Sequence, residues 1–361
     1  MVYKRVSKII FAAILAVTVF SGCGNRQEEG IDKTETETTT QKSTQDSTQD
    51  VTQEAEEETK YPSITSDGKM KDYKSVVTVD DTAYELYTYL DKVADNYAKS
   101  VNKVADTLAG KSDVYDLVIP LSSGITFPDN LKDKISSSDQ HDAMQKIQAK
   151  MDKHVKNVDV YDVLMQHRTE YEYFRTDHHW TTLGAFYAYQ SLMGAIGEQA
   201  YHLEDFNIKQ VSDSFYGTYY SKANNHHLQP DSMDIFIPKT DASFSVSLNG
   251  EEVSLDGLYD YNYLNQKDKY SMFLGGNQPL TIVKSSINNG RKLVVFKDSY
   301  AHSLVPFLAL HFEEIHLIDL RYFNMNPYEY IRDESFDQAL FLYNLSTFGS
   351  EPNLIKLQSY N

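Results

Sequence analysis

An α/β domain built around a parallel sheet, with a β-rich insertion, is the fold class this sequence predicts. Three observations predict it. The last seventy residues run strand, helix, strand, helix, strand: Leu293–Lys297, Tyr300–Phe312, Ile315–Leu320, Pro327–Arg332 and Ala339–Asn344, the order of right-handed βαβ units. Residues 206–290 change character, with short alternating stretches separated by Asn-Gly, Asp-Gly and Gly-Gly turns, the mark of hairpins. About 300 residues remain beyond the polar N-terminal region, enough for one large domain with an inserted lobe.

The elements follow in order. Val76–Val79 is a β-branched run, and Tyr84–Leu108 repeats apolar residues at helical spacing through Leu90, Val93, Tyr97, Val101 and Val104. Tyr115–Pro120 is a short apolar run ended by proline and Ser122-Ser123-Gly124, a buried strand. Asp142–Val155 is an amphipathic helix, and Val158–Tyr161 is a strand or bend. Thr181–Ile196 is a helix with Thr181 and Thr182 as cap candidates and Gly197 as its stop. Within 206–290, the alternating stretches are Asp234–Ile237, Phe244–Leu248 and Tyr270–Leu274. There is no internal repeat and no glycine-rich phosphate loop.

The N-terminus reads as an address. Lys4, Arg5 and Lys8 precede an apolar run from Ile9 to Phe20, and Phe20-Ser21-Gly22-Cys23 closes it with small residues. Twelve residues suit a signal-peptide core and are too short to span a bilayer. Cys23 is the sole cysteine, placed where a bacterial lipobox puts the acylated residue, so residues 1–23 resemble a lipoprotein signal and predict anchorage to the outer face of the cell membrane. An ordinary secretory signal is the other reading. Residues 24–60 are rich in Thr, Gln and Glu with almost no apolar side chain, the composition of a disordered tether reaching roughly 35 Å on average. The folded domain is then 61–361.

The net charge is −18. The first 23 residues carry three positive charges and residues 24–60 carry −7, which leaves −14 on the body. An acidic body lacks the basic footprint that nucleic acid requires.

Two tetrapeptides carry the chemistry: Asp177-His178-His179-Trp180 and Lys297-Asp298-Ser299-Tyr300. Together they hold an acid, an imidazole and a hydroxyl, the parts of a Ser-His-Asp device that is recognised by geometry rather than chain order. Ser299 sits at a strand-to-helix junction, where its own N–H is an orphan donor able to hold an oxyanion. The bland reading is a helix N-cap, which Asp298 and Ser299 both favour. Asp177 can reach Nδ1–H of His179 and leave Nε2 free as base. His178 as base stays open, although alternation turns it away from Asp177.

Other candidates are less specific. Gly275-Gly276-Asn277 offers a close backbone approach at Gly276 and an amide donor at Asn277, or simply a hairpin turn. Tyr219, within Tyr216–Tyr220, lines a substrate groove or only packs, since 27 tyrosines make such a patch expected by chance. Tyr300 and Arg321 are further substrate candidates. Asp177, His178, His179, His226, His227 and His302 could ligate a divalent ion, but their spacing matches no standard zinc pattern, so the expected site contains no metal and no cofactor. A metal-dependent hydrolase is the third-ranked reading.

At these residues the chain resembles the bacterial family named for its Asp-His-His-Trp motif. The resemblance is carried by Tyr173–Ala185, Gly217–Lys222, Gly275–Asn277, Lys297–Phe307 and Asp319–Phe323, and covers roughly 75–350. In motif order it is similar also to the SGNH-like domains of alginate O-acetyltransferases, where Asp-x-His precedes the serine. Lys297-Asp298-Ser299 stands where ordinary SGNH enzymes have Gly-Asp-Ser, and the Asp-to-His spacing is one residue shorter than theirs. Both departures agree with the acetyltransferase branch.

The resemblance implies a flavodoxin-like three-layer α/β/α core, with Ser299 as nucleophile, His179 as base and Asp177 as orienter. It implies an O-acetyltransferase or acetylesterase acting on cell-surface polysaccharide, with a membrane-bound O-acyltransferase as acetyl supplier. A non-catalytic glycan-binding or assembly lipoprotein on the same scaffold is the alternative.

Overall fold

A computed structural model describes residues 60–360, apart from Ser75, Asn225, His226 and Ser254. The signal segment, Cys23 and nearly all of the tether lie outside the described residues. A small antiparallel sheet comes first, made of β1 (Lys71–Asp72), β2 (Val77–Val79) and β3 (Thr82–Tyr84). The other strands are β4 (Asp113–Ile119), β5 (Val155–Asn157), β6 (Phe206–Phe215), β7 (Asp231–Pro238), β8 (Phe244–Leu248), β9 (Glu251–Val253), β10 (Leu280–Ser285), β11 (Lys292–Lys297), β12 (Glu314–Ile318) and β13 (Gln338–Asn344).

The central sheet has eight strands in the order β5-β4-β13-β11-β12-β10-β8-β9. The five from β5 to β12 are parallel, and β10, β8 and β9 extend the edge antiparallel. The expected α/β domain with a mostly parallel sheet is therefore the one observed. All seven residues of β13 are buried, as are six of seven in β4, because helices cover the parallel strands on both faces and leave no polar side.

The connections explain the covering. From β11 the chain steps one way to β12, then back past β11 to β13. With right-handed crossovers, the helix Ala301–Leu308 between β11 and β12 and the helix Pro327–Glu334 between β12 and β13 fall on opposite faces. The first packs with the helix Thr182–Ile196 and the second lies beside the helix Asp91–Leu108. Neighbouring connections diverge at β11 and β13, so a crevice opens beyond their carboxyl ends. Ser299 lies two residues past the end of β11.

Helix Thr182–Ile196 has the predicted cap, with the Thr181 hydroxyl accepting from Gly184 N–H at 3.4 Å. It stops at Gly197, whose φ of +86° is the left-handed conformation glycine adopts without strain. Other boundaries moved. The helix expected from Tyr84 begins at Asp91, because the preceding backbone is claimed by tertiary partners: Ala83 N–H by the Arg175 carbonyl, Tyr87 N–H by Ser137 Oγ and Tyr89 N–H by Ser138 Oγ. The helix expected over Asp142–Val155 runs Gln140–Gln148 and is capped by Asp139, while Val155 pairs with Val114 as part of β5.

The segment expected as one β-rich insertion divides. β6 and β7 form a hairpin away from the central sheet, whereas Phe244–Leu248 and Leu280–Ser285 join that sheet as β8 and β10. An open β12 edge would leave a row of unpaired backbone groups, and β10 fills it over five residue pairs, from Leu280 opposite Ile318 to Lys284 opposite Glu314. Tyr270–Leu274 is not a strand. Lys269–Met272 is a 3₁₀ turn whose Tyr270 and Met272, with the following Phe273, bury against Phe174, Phe215 and Met233. No helix among the described residues is long and apolar enough to cross a membrane.

Candidate active site

The first motif lies in a tight loop. Tyr173 and Trp180 form an antiparallel bridge, and Phe174 N–H donates to the His179 carbonyl at 3.2 Å. The loop is braced from outside by Asp231 at the start of β7, a buried carboxylate absent from the motif reading. Its Oδ1 accepts from Arg175 N–H at 2.9 Å and its Oδ2 from Thr176 N–H at 2.8 Å. Nothing local in the sequence marks Asp231, because its partners lie some 55 residues upstream.

The loop carries Asp177 and His179 to the end of β11. Asp177 Oδ1 lies 2.6 Å from His179 Nδ1, and His179 Nε2 lies 2.7 Å from Ser299 Oγ. Asp177 Oδ1 also accepts from His179 N–H at 3.1 Å, and its Oδ2 accepts from Thr218 N–H at 2.7 Å. Both carboxylate oxygens are thus occupied and the rotamer is fixed. Gly217 makes this possible, since a Cβ there would sit 2.2 Å from Asp177 Cβ and 2.3 Å from its Oδ2. His178 stays beside this pair, with its Nδ1 2.8 Å from Thr218 Oγ1 and 3.5 Å from Asp177 Oδ1, but the hydrogen bond to Ser299 is made by His179. The two rings nonetheless lie in contact, with centroids 3.8 Å apart and an interplanar angle of 38°, so alternation does not carry His178 away from His179.

Ser299 does not cap the following helix. That helix begins at Ala301 without a side-chain cap, and Asp298 takes up the local amides instead. Asp298 Oδ1 accepts from Tyr300 N–H at 2.9 Å, while Oδ2 accepts from Asn344 N–H at 2.7 Å and Thr347 Oγ1 at 2.6 Å. This fastens the serine turn to the end of β13 and leaves Oγ to the imidazole. No group among the described residues accepts the Ser299 N–H.

Charge follows from this packing. For Asp177, burial alone would raise the carboxyl, but the His178 and His179 imidazoles bring it well below the usual carboxylate range. His179 is lowered to about 4, first by burial and then by His178, against the pull of Asp177. A neutral imidazole that donates through Nδ1 and accepts through Nε2 follows at neutral pH. An alcohol bonded to such a base, itself oriented by a carboxylate, is the geometry of an activated nucleophile.

The other candidates divide. Asn277 and Arg321 meet: Asn277 Oδ1 accepts from Arg321 Nη2 at 3.0 Å and Lys297 Nζ at 3.2 Å. Asp319 completes the cluster, bonded by Arg321 Nε at 2.8 Å and Lys297 Nζ at 3.2 Å. Lys297 also lies 2.8 Å from His302 Nε2. Burial and then that ammonium hold His302 well below its ordinary value. Gly275 and Gly276, with φ of +73° and +80°, make the turn that needs glycine. Tyr219 is fully buried among Val76, Ala83 and Leu228, so it packs rather than lining the cleft. Tyr300 is 2% exposed, its hydroxyl bonded to the His178 carbonyl.

Among the described residues, only Asp177, His178 and His179 of the metal candidates cluster. Their facing atoms are engaged in the hydrogen bonds above, and His302 presents its Nε2 to an ammonium. A cavity of about 330 Å³ opens over Ser299, walled by Glu85, His178, Thr218, Lys222, Arg321 and Glu351.

A DHHW protein family model matches residues 27–318. The crystal structure of a DHHW family protein from Eubacterium siraeum is 29% identical, covers 81% of this chain and 98% of that one, and superposes with a TM-score of 0.68. Bacillus cereus PatB1, solved with a sulfonyl adduct, is 20% identical over 78% of this chain and 99% of that one, with a TM-score of 0.65. The O-acetyltransferase domain of Pseudomonas putida AlgJ is 12% identical over 78% and 96%, with a TM-score of 0.46. None of the curated proteins matches the chain. With four-fifths of its length inside the family model and its motif residues gathered around Ser299, the chain belongs to the DHHW family.

Proposed function

We propose that this protein is an extracytoplasmic O-acetyltransferase or acetylesterase of SGNH type, held to the membrane through Cys23 and acting on cell-envelope polysaccharide. The observation that carries the reading is the unbroken hydrogen-bond chain Asp177–His179–Ser299, at 2.6 and 2.7 Å. Ser299 Oγ attacks the acetyl carbonyl of a donor ester while His179 Nε2 takes its proton. The resulting oxyanion is held by the unengaged Ser299 N–H. Asn277 is the second donor in this reading, because Lys297 and Arg321 occupy its carbonyl oxygen and leave its amide NH₂. As the tetrahedral intermediate collapses, His179 returns the proton to the leaving alcohol and acetyl-Ser299 remains. A sugar hydroxyl or a water, deprotonated by His179, then takes the acetyl group and restores the serine.

A cleft walled by carboxylates, cations and hydroxyls suits a polyol better than an apolar acid. The composition of residues 24–60, rich in Thr, Gln and Glu after Cys23, supports the same reading, since such a segment suits a linker between a lipid anchor and a folded domain. A membrane-bound O-acyltransferase is the proposed source of acetyl groups.

The test is hydrolysis of 4-nitrophenyl acetate by the purified full chain and by Ser299→Ala. Loss of about 10³-fold or more in kcat/KM is expected. PatB1 has been solved with a sulfonyl adduct, and an arylsulfonyl fluoride is expected to label Ser299 here, as read by peptide mass spectrometry. Undiminished hydrolysis in Ser299→Ala would remove this mechanism, and hydrolysis no faster than background in parent and variant alike, with no labelling, would leave the non-catalytic glycan-binding reading.

A further inference from the structure

We propose that Tyr270 is a positioning residue for this centre: its ring covers one face of the His179 imidazole and keeps that face dry, while its hydroxyl fixes the serine turn beneath the same ring. The kinetic part rests on the reading of the preceding subsection, and the geometric part stands without it.

The Tyr270 and His179 rings are stacked nearly parallel, with centroids 3.7 Å apart and an interplanar angle of 8°. At that separation the rings are in van der Waals contact, with no room for water between them. The Tyr270 hydroxyl donates to the Ser299 carbonyl at 3.2 Å and lies 3.0 Å from Ser303 Oγ. Ser303 Oγ in turn accepts from Trp180 Nε1 at 2.9 Å. One side chain thus touches the base through its face and the nucleophile's own backbone through its edge. It is rigid, being 3% exposed and held edge-on by Phe174 at 6.3 Å, with Phe273 at 5.2 Å.

The groups that face His179 limit what else could set its charge. Asp177 and His178 come from its own loop, and Tyr300 is tilted against it at 5.1 Å. Tyr270 covers the stacked face, His302 lies 6.4 Å from the Tyr270 ring, and Asp268 acts from the position just before the Lys269–Met272 turn. The two carboxylates favour the protonated ring, whereas burial and His178 oppose it, burial being the larger influence. A solvated imidazole titrates near 6.5 and would be partly protonated, hence partly useless as a base, at neutral pH. The aromatic cover prevents this.

The test is an NMR titration of imidazole nitrogens in the full-length protein, with the His179 signal assigned through His179→Gln. In the parent, His179 is expected to stay neutral down to about pH 4. Tyr270→Leu removes the flat cover, so its His179 should titrate at least one pH unit higher. The kcat for 4-nitrophenyl acetate should fall about 10- to 100-fold, within the range general-base placement supplies, with KM little changed. Tyr270→Phe keeps the cover and loses only the hydroxyl: the parent titration is expected with a kcat loss of a few-fold. Tyr270→Met replaces the leucine variant if that one does not fold. A parent-like titration without the ring, or an equal shift in Tyr270→Phe, overturns the proposal. An inactive parent would sink the acetyl-transfer reading but leave the titration decisive for Tyr270.

Discussion

Trp180 and Tyr300 are bonded across 120 positions of sequence: the indole Nε1 donates to the Tyr300 carbonyl at 3.1 Å, with both side chains buried. The tryptophan that closes the first motif therefore holds the turn that presents Ser299. Its packing role and its effect on the site are one interaction, because the same N–H is shared with Ser303 Oγ.

Trp180→Phe keeps most of the buried ring and deletes that donor. Two buried acceptors lose a partner, which costs about 1–3 kcal/mol of stability. Urea unfolding should show a lower midpoint with an unchanged slope, and kcat should fall without a matching rise in KM.

Gly217→Ala tests the close approach to Asp177. A Cβ placed 2.2 Å from Asp177 Cβ must push the carboxylate off His179 or move the Thr218 amide that holds it. A loss of at least tenfold in kcat/KM is expected, with a smaller effect on unfolding than on turnover. Equal kinetics in the variant would show that the carboxylate orientation is not used.

Asp231→Asn replaces an acceptor oxygen with a donor opposite the Arg175 and Thr176 amides. The cost expected for disturbing a buried, fully engaged carboxylate is about 2–4 kcal/mol. Thermal unfolding of the variant, together with earlier proteolytic cleavage within the 173–180 loop, is the check.

The pH dependence has a definite sign. His179 is lowered to about 4, so kcat/KM for ester hydrolysis should be flat around neutrality and decline on the acid side as pH passes through about 4, where the imidazole takes a proton and ceases to be a base. The same group is linked to folding. The unfolded chain binds its proton near 6.5 while the native chain does not, so this contribution to stability is present above 6.5 and is lost as pH falls from there towards 4. A profile with its acid limb near 6.5 would contradict the buried neutral base.

Much of this was legible in the chain. The strands β11, β12 and β13 and the helices between them announce themselves through apolar runs and helical spacing, which are short-range properties of adjacent residues. Asp177, His179 and Ser299 were legible as chemistry because an acid, an imidazole and a hydroxyl stand at element boundaries. Asn277 and Arg321 were candidates in isolation, whereas their joint hold with Lys297 and Asp319 was not visible.

What the tertiary structure alone decided is which groups meet. It gave His179, not His178, to Ser299, released Ser299 from capping, brought Asp231 beneath the motif loop and laid Tyr270 across the imidazole. It also carried Phe244–Leu248 and Leu280–Ser285 into the central sheet. The physical reason is range. Periodicity and capping are set by side chains within a few residues of one another, so composition and spacing determine them. Partners 50 to 120 residues apart are chosen by how the whole core closes, and no local pattern encodes that.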